Sequence, residues 1–339
     1  MKVLVNTYDT AFQNIAGGVH KRIEKTSRFI RDLGCQIDFF DKFSTKVEDY
    51  DILHVYMIDV GNVELVKYAK SKGLKIVLSS IVNLNHSLSL RLYWLIRKMP
   101  IMTTYKLFFQ MCLLADVIVV ETEKERKFVS RYFHVSESKI TIIPSGVDEV
   151  CYKKDELIFE KIGKKCDYAI EVARFDQNKN QLNVIKAMAG EKENVVFVGG
   201  GDSKNSKYYQ QCLDIAKKCK NIHLLGWVDA NSDLLKSAYS NAKAVICSSY
   251  QETFGLSILE GIQAGAFPIL SKTLPILDFK EMSGCETFDP DDLMDIRDKI
   301  KKVMNTNKVF ENRDMVKSSF SWDAVAKKHV DIFEGLLIK

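Results

Sequence analysis

The sequence predicts an α/β protein built from two doubly wound parallel sheets, and three observations carry this reading. Short apolar runs such as Val117-Ile118-Val119-Val120 and Ala244-Val245-Ile246-Cys247 alternate with longer stretches of helical spacing, the pattern of parallel strands joined by helices. At 339 residues the chain is too long for one core and suits two. A polar, charged stretch over 149–165 separates two such runs, which places a first domain at 1–150, a second at 166–320 and a C-terminal helical tail at 321–339.

In the first domain a strand over 2–7 leads through Ala16-Gly17-Gly18 into a helix over 19–33. Val19, Ile23, Ile30 and Leu33 form its apolar side, and Gly34 stops it. Strands follow at 37–40, 52–56, 76–78, 117–120 and 140–143, with helices at 63–71 and 123–133. In the second domain, strands are expected at 168–173, 195–198, 222–225, 244–247 and 267–270. Helices lie between them at 181–188, 208–218 and 233–241. The tail after Phe320-Ser321-Trp322 is an amphipathic helix. No short-period repeat and no low-complexity tract interrupts the order.

Composition narrows the class further. With 46% hydrophobic and 27% charged residues, the chain reads as an ordinary soluble protein. The opening Met1-Lys2-Val3-Leu4-Val5 reads as a strand and not as a leader, and no apolar run approaches a membrane span. Eight scattered cysteines form no C-x-x-C pair and no metal-spaced cluster, which favours free thiols and a cytoplasmic setting. The net charge of +5 is unevenly spread, for residues 65–115 hold eight Lys or Arg and no acid. That asymmetry suggests a basic face toward an anionic partner, with no nucleic acid implied.

The chemistry concentrates in Ser248 to Gly265 (SSYQETFGLSILEGIQAG), a strand end running into a helix. At the carboxyl edge of a parallel sheet, the N–H groups of Gly255, Leu256 and Ser257 are donors of a helix's first turn, a seat for a phosphate. Glu260, one turn inside and on the face shared with Leu256, is an acceptor suited to a vicinal diol such as a ribose. Arg174 and Lys179, in the loop ARFDQNKNQ after the strand at 168–173, bring two cations to the same edge as Glu252: a planar guanidinium fork and a point charge. Gly261 and Gly265 are expected to let the helix lie close on its sheet.

The spacing E-x7-E with Phe254-Gly255-Leu256 inside it, and the five-residue step from Arg174 to Lys179, resemble the signature of retaining glycosyltransferases of the GT-B fold, glycosyltransferase family four. The end of the first domain, from Ala115 to Thr122 and then Ile143-Pro144-Ser145-Gly146-Val147-Asp148, is also similar, with Ser145 where the family usually has Asn. The resemblance implies two Rossmann-like domains facing across a cleft. It further implies transfer of a sugar, with retention, from a UDP- or GDP-linked donor to a glycan or lipid-linked acceptor, with no cofactor besides that donor substrate and no metal. Arg174 and Lys179 would hold the diphosphate, Glu252 the sugar and Glu260 the ribose. Gly17 and Gly18 would reach toward the diphosphate, and the tail would brace the first domain. A non-catalytic sugar-nucleotide-binding homologue and a nucleotide-sugar epimerase are the alternatives. His86 is a weak candidate for the family's sugar contact, and His20 and His54, near predicted strand ends, carry no assigned role. The family's Gly-rich turn falls at Gly199, where a plain turn is the simpler account.

One further stretch, 87–114, places Leu88, Leu92, Leu95 and Met99 on one helical stripe, flanked by Arg91 and Lys98 and accompanied by Tyr93 and Trp94. Such a face suits either core packing or reversible attachment to an anionic membrane surface.

Overall fold

A computed structural model of the chain describes residues 1–13, 18–80, 90, 92, 94, 95, 98, 99, 103–150, 152, 154–201 and 207–338. They form two compact units, Met1–Gly146 with Phe320–Lys339, and Val147–Ser319. Gly17 and His86 lie outside the described residues, as does most of 81–102.

The first unit holds six parallel strands in the order β2-β1-β3-β4-β5-β6. They are β1 Lys2–Asn6, β2 Gln36–Phe39, β3 Ile52–Tyr56, β4 Lys75–Ser79, β5 Val117–Val120 and β6 Ile140–Ile142. Its helices are α1 Gly18–Asp32, α2 Val63–Ser71, α3 Thr104–Leu114, α4 Glu123–Phe133 and the C-terminal helix described below. Alternation along the strands sorts the core into two layers. Leu4, Leu53, Val55, Leu78, Ile118 and Val120 turn toward Val66 of α2, Met111 of α3 and Val129 of α4. Val3, Val5, Ile52, Val77 and Val119 turn the other way, toward Ile23 and Ile30 of α1.

The second unit repeats the plan, with order β12-β11-β10-β7-β8-β9. Its strands are β7 Tyr168–Val172, β8 Asn194–Val198, β9 Ile222–Leu224, β10 Ala244–Cys247, β11 Phe267–Ser271 and β12 Glu286–Phe288. Seven helices are described: α5 Leu157–Ile162, α6 Gln181–Met188, α7 Lys207–Ala216, α8 Asp233–Ser240, α9 Leu256–Ala264, α10 Leu293–Met304 and α11 Arg313–Ser319. The last helix of the chain, α12 Trp322–Leu337, belongs to the first unit, where Trp322, Val325, Ala326 and Phe333 complete the layer built on Ile23 and Ile30.

Four expectations change. The stretch 149–165 is not a bare linker, because α5 buries Ile158 and its backbone N–H donates to Ser237 Oγ of α8 at 3.1 Å. The chain after 271 adds β12, α10 and α11. Asp292 caps α10 by accepting from Met294 and Asp295 N–H, and Ile296, Ile300 and Val303 bury its inner face. Gly265 is not a close-packing residue. It ends α9 in the left-handed region at φ +107°, while Gly261 alone meets the sheet, its would-be Cβ 2.6 Å from Val245 Cβ. Trp94 presents only part of its ring to solvent, for it stacks on His134 at 3.7 Å between centroids and packs edge-on against Phe109.

Candidate functional site

A parallel sheet binds ligands where its strand order reverses, because loops leaving the two neighbouring strands diverge to opposite faces and open a crevice. In the second unit this point lies between β7 and β10. The loop after β7 carries Arg174 and Lys179, and the loop after β10 carries Glu252.

Hydrogen bonds hold these two loops together. Tyr250 N–H donates to the Asn178 carbonyl at 2.8 Å, and Asn178 Nδ2 donates to the Gln251 carbonyl at 2.8 Å. Thr273, after β11, donates to the Tyr250 carbonyl at 2.8 Å, and Tyr250 OH donates to Asp291 at 2.7 Å. Asp289 pairs with Lys272 at 2.6 Å, so with Asp291 and Asp292 it serves structure in this late loop.

The central contact is an ion pair, Lys179 Nζ to Glu252 Oε1 at 2.5 Å, with both side chains mostly buried. Burial opposes the Lys179 charge, but the Glu252 carboxylate outweighs it and raises the ammonium pKa. Ser249 Oγ donates to the same carboxylate oxygen at 2.7 Å. Arg174 is half exposed, and its guanidinium donates through Nε and Nη2 to Asp176 Oδ2 at 3.1 and 3.0 Å. Asp176 also accepts the Lys179 N–H at 3.0 Å, so one carboxylate sets the posture of both cations. Asn180, in the left-handed region at φ 60°, then turns the chain into α6 and anchors it through Nδ2 on the Pro290 carbonyl.

At the far end of the loop Gly255 adopts φ +99° at the start of α9, with no side chain capping the helix. A Cβ there would lie 2.7 Å from Ile258 Cδ1, so the sharp entry requires glycine. The first-turn N–H groups at Leu256 and Ser257 thereby lack an intrahelical carbonyl, a geometry suited to an anion. Glu260 accepts the Tyr239 hydroxyl at 2.9 Å, which orients its carboxylate. Phe254 is buried against Phe279 at 5.7 Å between ring centroids, so its side chain packs the loop. Gly18 opens α1 in the first unit. Gly199 brings β8 onto the neighbouring strand end, its would-be Cβ 2.0 Å from the Ala173 carbonyl, which is a packing role.

The residues not foreseen are Asp176, Glu171, Ser248 and Tyr239. Asp176 sits between the two foreseen cations in sequence, and its charge was the available signal. The burial of Glu171 beneath them had none.

The first unit has the corresponding reversal between β1 and β3, and a cavity of about 890 Å³ opens there. Asn6, Tyr8, Phe12, Phe39, Phe43 and Asn62 are among its walls. Asn6 Nδ2 donates to the buried Asn62 Oδ1 at 2.8 Å. Beside it Met57 leaves β3 at φ +75°, a conformation costly for a bulky side chain and typical of functional edges. Of the histidines, His54 is buried against Ser79 and His329, while His20 lies on α1 beside Phe12. Neither lines the cavity. Among the described residues no cluster of His, Cys, Asp or Glu could hold a metal ion.

Twin parallel sheets with a basic pair, a carboxylate and an uncapped helix start at a strand-order reversal define a protein of the GT-B type. Residues 153–319 match the family model of glycosyl transferases group 1. The processive diacylglycerol alpha-glucosyltransferase of Acholeplasma laidlawii is 27% identical over 220 residues, which are 60% of this chain and 65% of that protein. The glycogen synthase of Aquifex aeolicus is 27% identical over 167 residues, 45% of this chain and 34% of that one. The chain thus spans no more than about two thirds of these curated relatives. Two solved structures share the fold over 99 to 100% of both chains. Anabaena Alr3699/HepE in complex with UDP has a TM-score of 0.76 at 12% identity. Sucrose-phosphate synthase from Thermosynechococcus elongatus has one of 0.73 at 16%.

Proposed function

We propose that the protein is a metal-independent, retaining glycosyltransferase that moves a sugar from a nucleotide-diphosphate donor to a glycan or lipid-linked acceptor. The observation that carries this reading is the Lys179–Glu252 pair at the strand-order reversal of the second unit, one loop away from the open start of α9. Breaking the bond between the anomeric carbon and the β-phosphate oxygen leaves charge on the diphosphate. Lys179, Arg174 and the α9 N–H groups are placed to meet it. Glu252 orients the sugar, and Glu260 takes the ribose hydroxyls. The acceptor oxygen forms the new bond on the face the diphosphate leaves, and its proton passes to the leaving phosphate oxygen, so no protein nucleophile is needed. That the solved relative HepE carries UDP supports a uridine donor.

The aromatic and amide walls of the first unit's cavity suit the faces and hydroxyls of an acceptor sugar. Leu92, Leu95 and Met99, exposed beside Lys98, favour an acceptor presented at an anionic membrane surface.

The test is incubation with a panel of labelled UDP- and GDP-sugars, with and without EDTA. Slow release of free sugar that persists in EDTA is the expected result. Interconversion of the sugar would show an epimerase, and binding without turnover a non-catalytic homologue. Complete loss on chelation, restored by magnesium or manganese, would refute the metal-independent site.

A further inference from the structure

Glu171 lies on β7 directly beneath the ion pair and is 2% exposed. Ser248, fully buried at the end of β10, is its neighbour. Ser248 N–H donates to Glu171 Oε1 at 3.0 Å. Ser248 Oγ stands 2.7 Å from Glu171 Oε1 and also 2.7 Å from the Lys179 carbonyl oxygen. Two contacts of that length each need a proton, and the hydroxyl has one. The carbonyl of Lys179 has none to give, so the second proton belongs to Glu171. The other carboxyl oxygen, Oε2, is buried with no hydrogen-bond partner among the described residues. That arrangement is tolerable for a neutral acid and costly for a carboxylate.

We propose that Glu171 is held in the fold as a neutral carboxylic acid whose proton, through Ser248, fixes the Lys179 backbone and the Ser248–Glu252 loop. It is a positioning residue of the donor site, and its ionisation releases that hold.

The surroundings agree with this assignment. Burial is the main influence and raises the Glu171 pKa to about 7, against the lowering effect of the Ser248 hydrogen bonds and Lys179, with Glu252 raising it further. The other titratable groups facing it are Cys247 on β10 and Tyr208 and Cys212 on α7. Burial pushes both thiols up to about 12 and the phenol up as well, so all three are neutral when Glu171 titrates. As the pH rises through 7, Glu171 ionises and draws the Ser248 proton to itself. The Lys179 carbonyl then loses its partner, and a second carboxylate competes with Glu252 and the donor diphosphate for the Lys179 charge. Donor binding therefore weakens on the alkaline side.

The catalytic consequence rests on the glycosyltransferase reading, whereas the protonation state does not. Isotope-edited infrared spectra of protein labelled with carboxyl-¹³C glutamate measure the latter. A neutral-acid band at pH 6 that titrates away near pH 7 and is removed by E171Q is expected. Glu125, also raised to about 7 chiefly by burial, gives a band of its own that E171Q leaves in place. UDP and GDP binding by calorimetry from pH 6 to 9 measures positioning without turnover. Wild type is expected to weaken by about tenfold across the range, while E171Q shows no such dependence. S248A, which cuts the bridge from the other side and keeps Glu171, is expected at pH 6 to bind as wild type does at pH 9. The proposal is overturned if no infrared intensity is lost in E171Q, or if S248A binds like wild type throughout. A protein that shows the band and the binding profile yet transfers no sugar would refute the enzymatic reading and leave Glu171 as assigned.

Discussion

Arg174 and Lys179 are both cations at one sheet edge, yet the fold treats them differently, and their substitutions should separate. Arg174 is half exposed and pairs with Asp176 at the surface, so Arg174→Ala removes a cation from the candidate donor site with little change to the interior. Turnover should fall by about a hundredfold, the usual loss for a charge-stabilising donor, with the melting temperature unchanged. Lys179→Ala removes the same kind of donor but also strands a mostly buried Glu252, so turnover and melting temperature should fall together. Equal activity of wild type and Arg174→Ala in a donor-hydrolysis assay would remove Arg174 from the site. The positions of Arg174, Lys179 and Glu252 at one edge were legible because spacing within a strand-loop-helix unit carries over directly into space. That Lys179 and Glu252 pair with each other was not, since a contact across 73 residues depends on strand order. Glu171 was hidden for a related reason: within Tyr168-Ala169-Ile170-Glu171-Val172 nothing marks which polar residue a neighbouring loop will cover.

At the scale of elements, α9 is fixed at both ends and in the middle by glycines that do different things. Gly261→Ala places a Cβ 2.6 Å from Val245 Cβ, so helix or strand must move, at about 1–3 kcal/mol. Because that movement tilts the helix start, donor affinity should fall along with the denaturant midpoint. Gly265→Ala should cost stability through its φ of +107° with little effect on affinity, its nearest neighbour being the Arg313 side chain 3.6 Å away. Equal loss of affinity in the two variants would show that the start of α9 does not depend on its seating. The stretch before α3 is the other element whose role differs from its pattern. The sequence set Trp94 beside the stripe of Leu88, Leu92, Leu95 and Met99 as an interfacial ring, whereas the fold turns Trp94 onto His134 and leaves Leu95 76% exposed. A membrane test therefore belongs to Leu95→Glu, which spares the interior. The wild type is expected to co-sediment with anionic vesicles at low salt and to release as salt rises, and Leu95→Glu to stay in the supernatant. Wild type that never co-sediments refutes the membrane surface. Helix α10 escaped the sequence reading although Asp292 as a cap and Ile296, Ile300 and Val303 at helical steps announce it, because its outer face is dense in lysine and reads as surface loop.

At the scale of the whole molecule the chain is not two consecutive domains, for the last helix returns to the first unit. The tail's amphipathic pattern was plain in the sequence and the resemblance implied that it braces the first domain, whereas the layer it completes, on Val3, Val5, Ile23 and Ile30, is exposed only by the assembled fold. Gly146, the last residue of the first segment, leaves room for Trp322 so tightly that a Cβ would lie 2.5 Å from its indole ring. Trp322, Val325 and Phe333 are each at most 2% exposed, and burying side chains of this size is worth about 1.5–3 kcal/mol apiece, comparable in sum to a domain's net stability. The second unit, 147–319, has its own six-stranded sheet and its own buried core. Expressed alone, 147–319 should unfold cooperatively and gain thermal stability from UDP or GDP, because the ion pair and the α9 start are both inside it. The segment 1–146 alone should be collapsed and without a cooperative transition, and fusion of 320–339 to its end through a flexible linker should restore one. A cooperative melt of 1–146 without the tail would show that α12 covers a layer already stable. A fragment 147–319 that melts cooperatively but is not stabilised by either nucleotide would mean that the anion seat needs residues outside this unit.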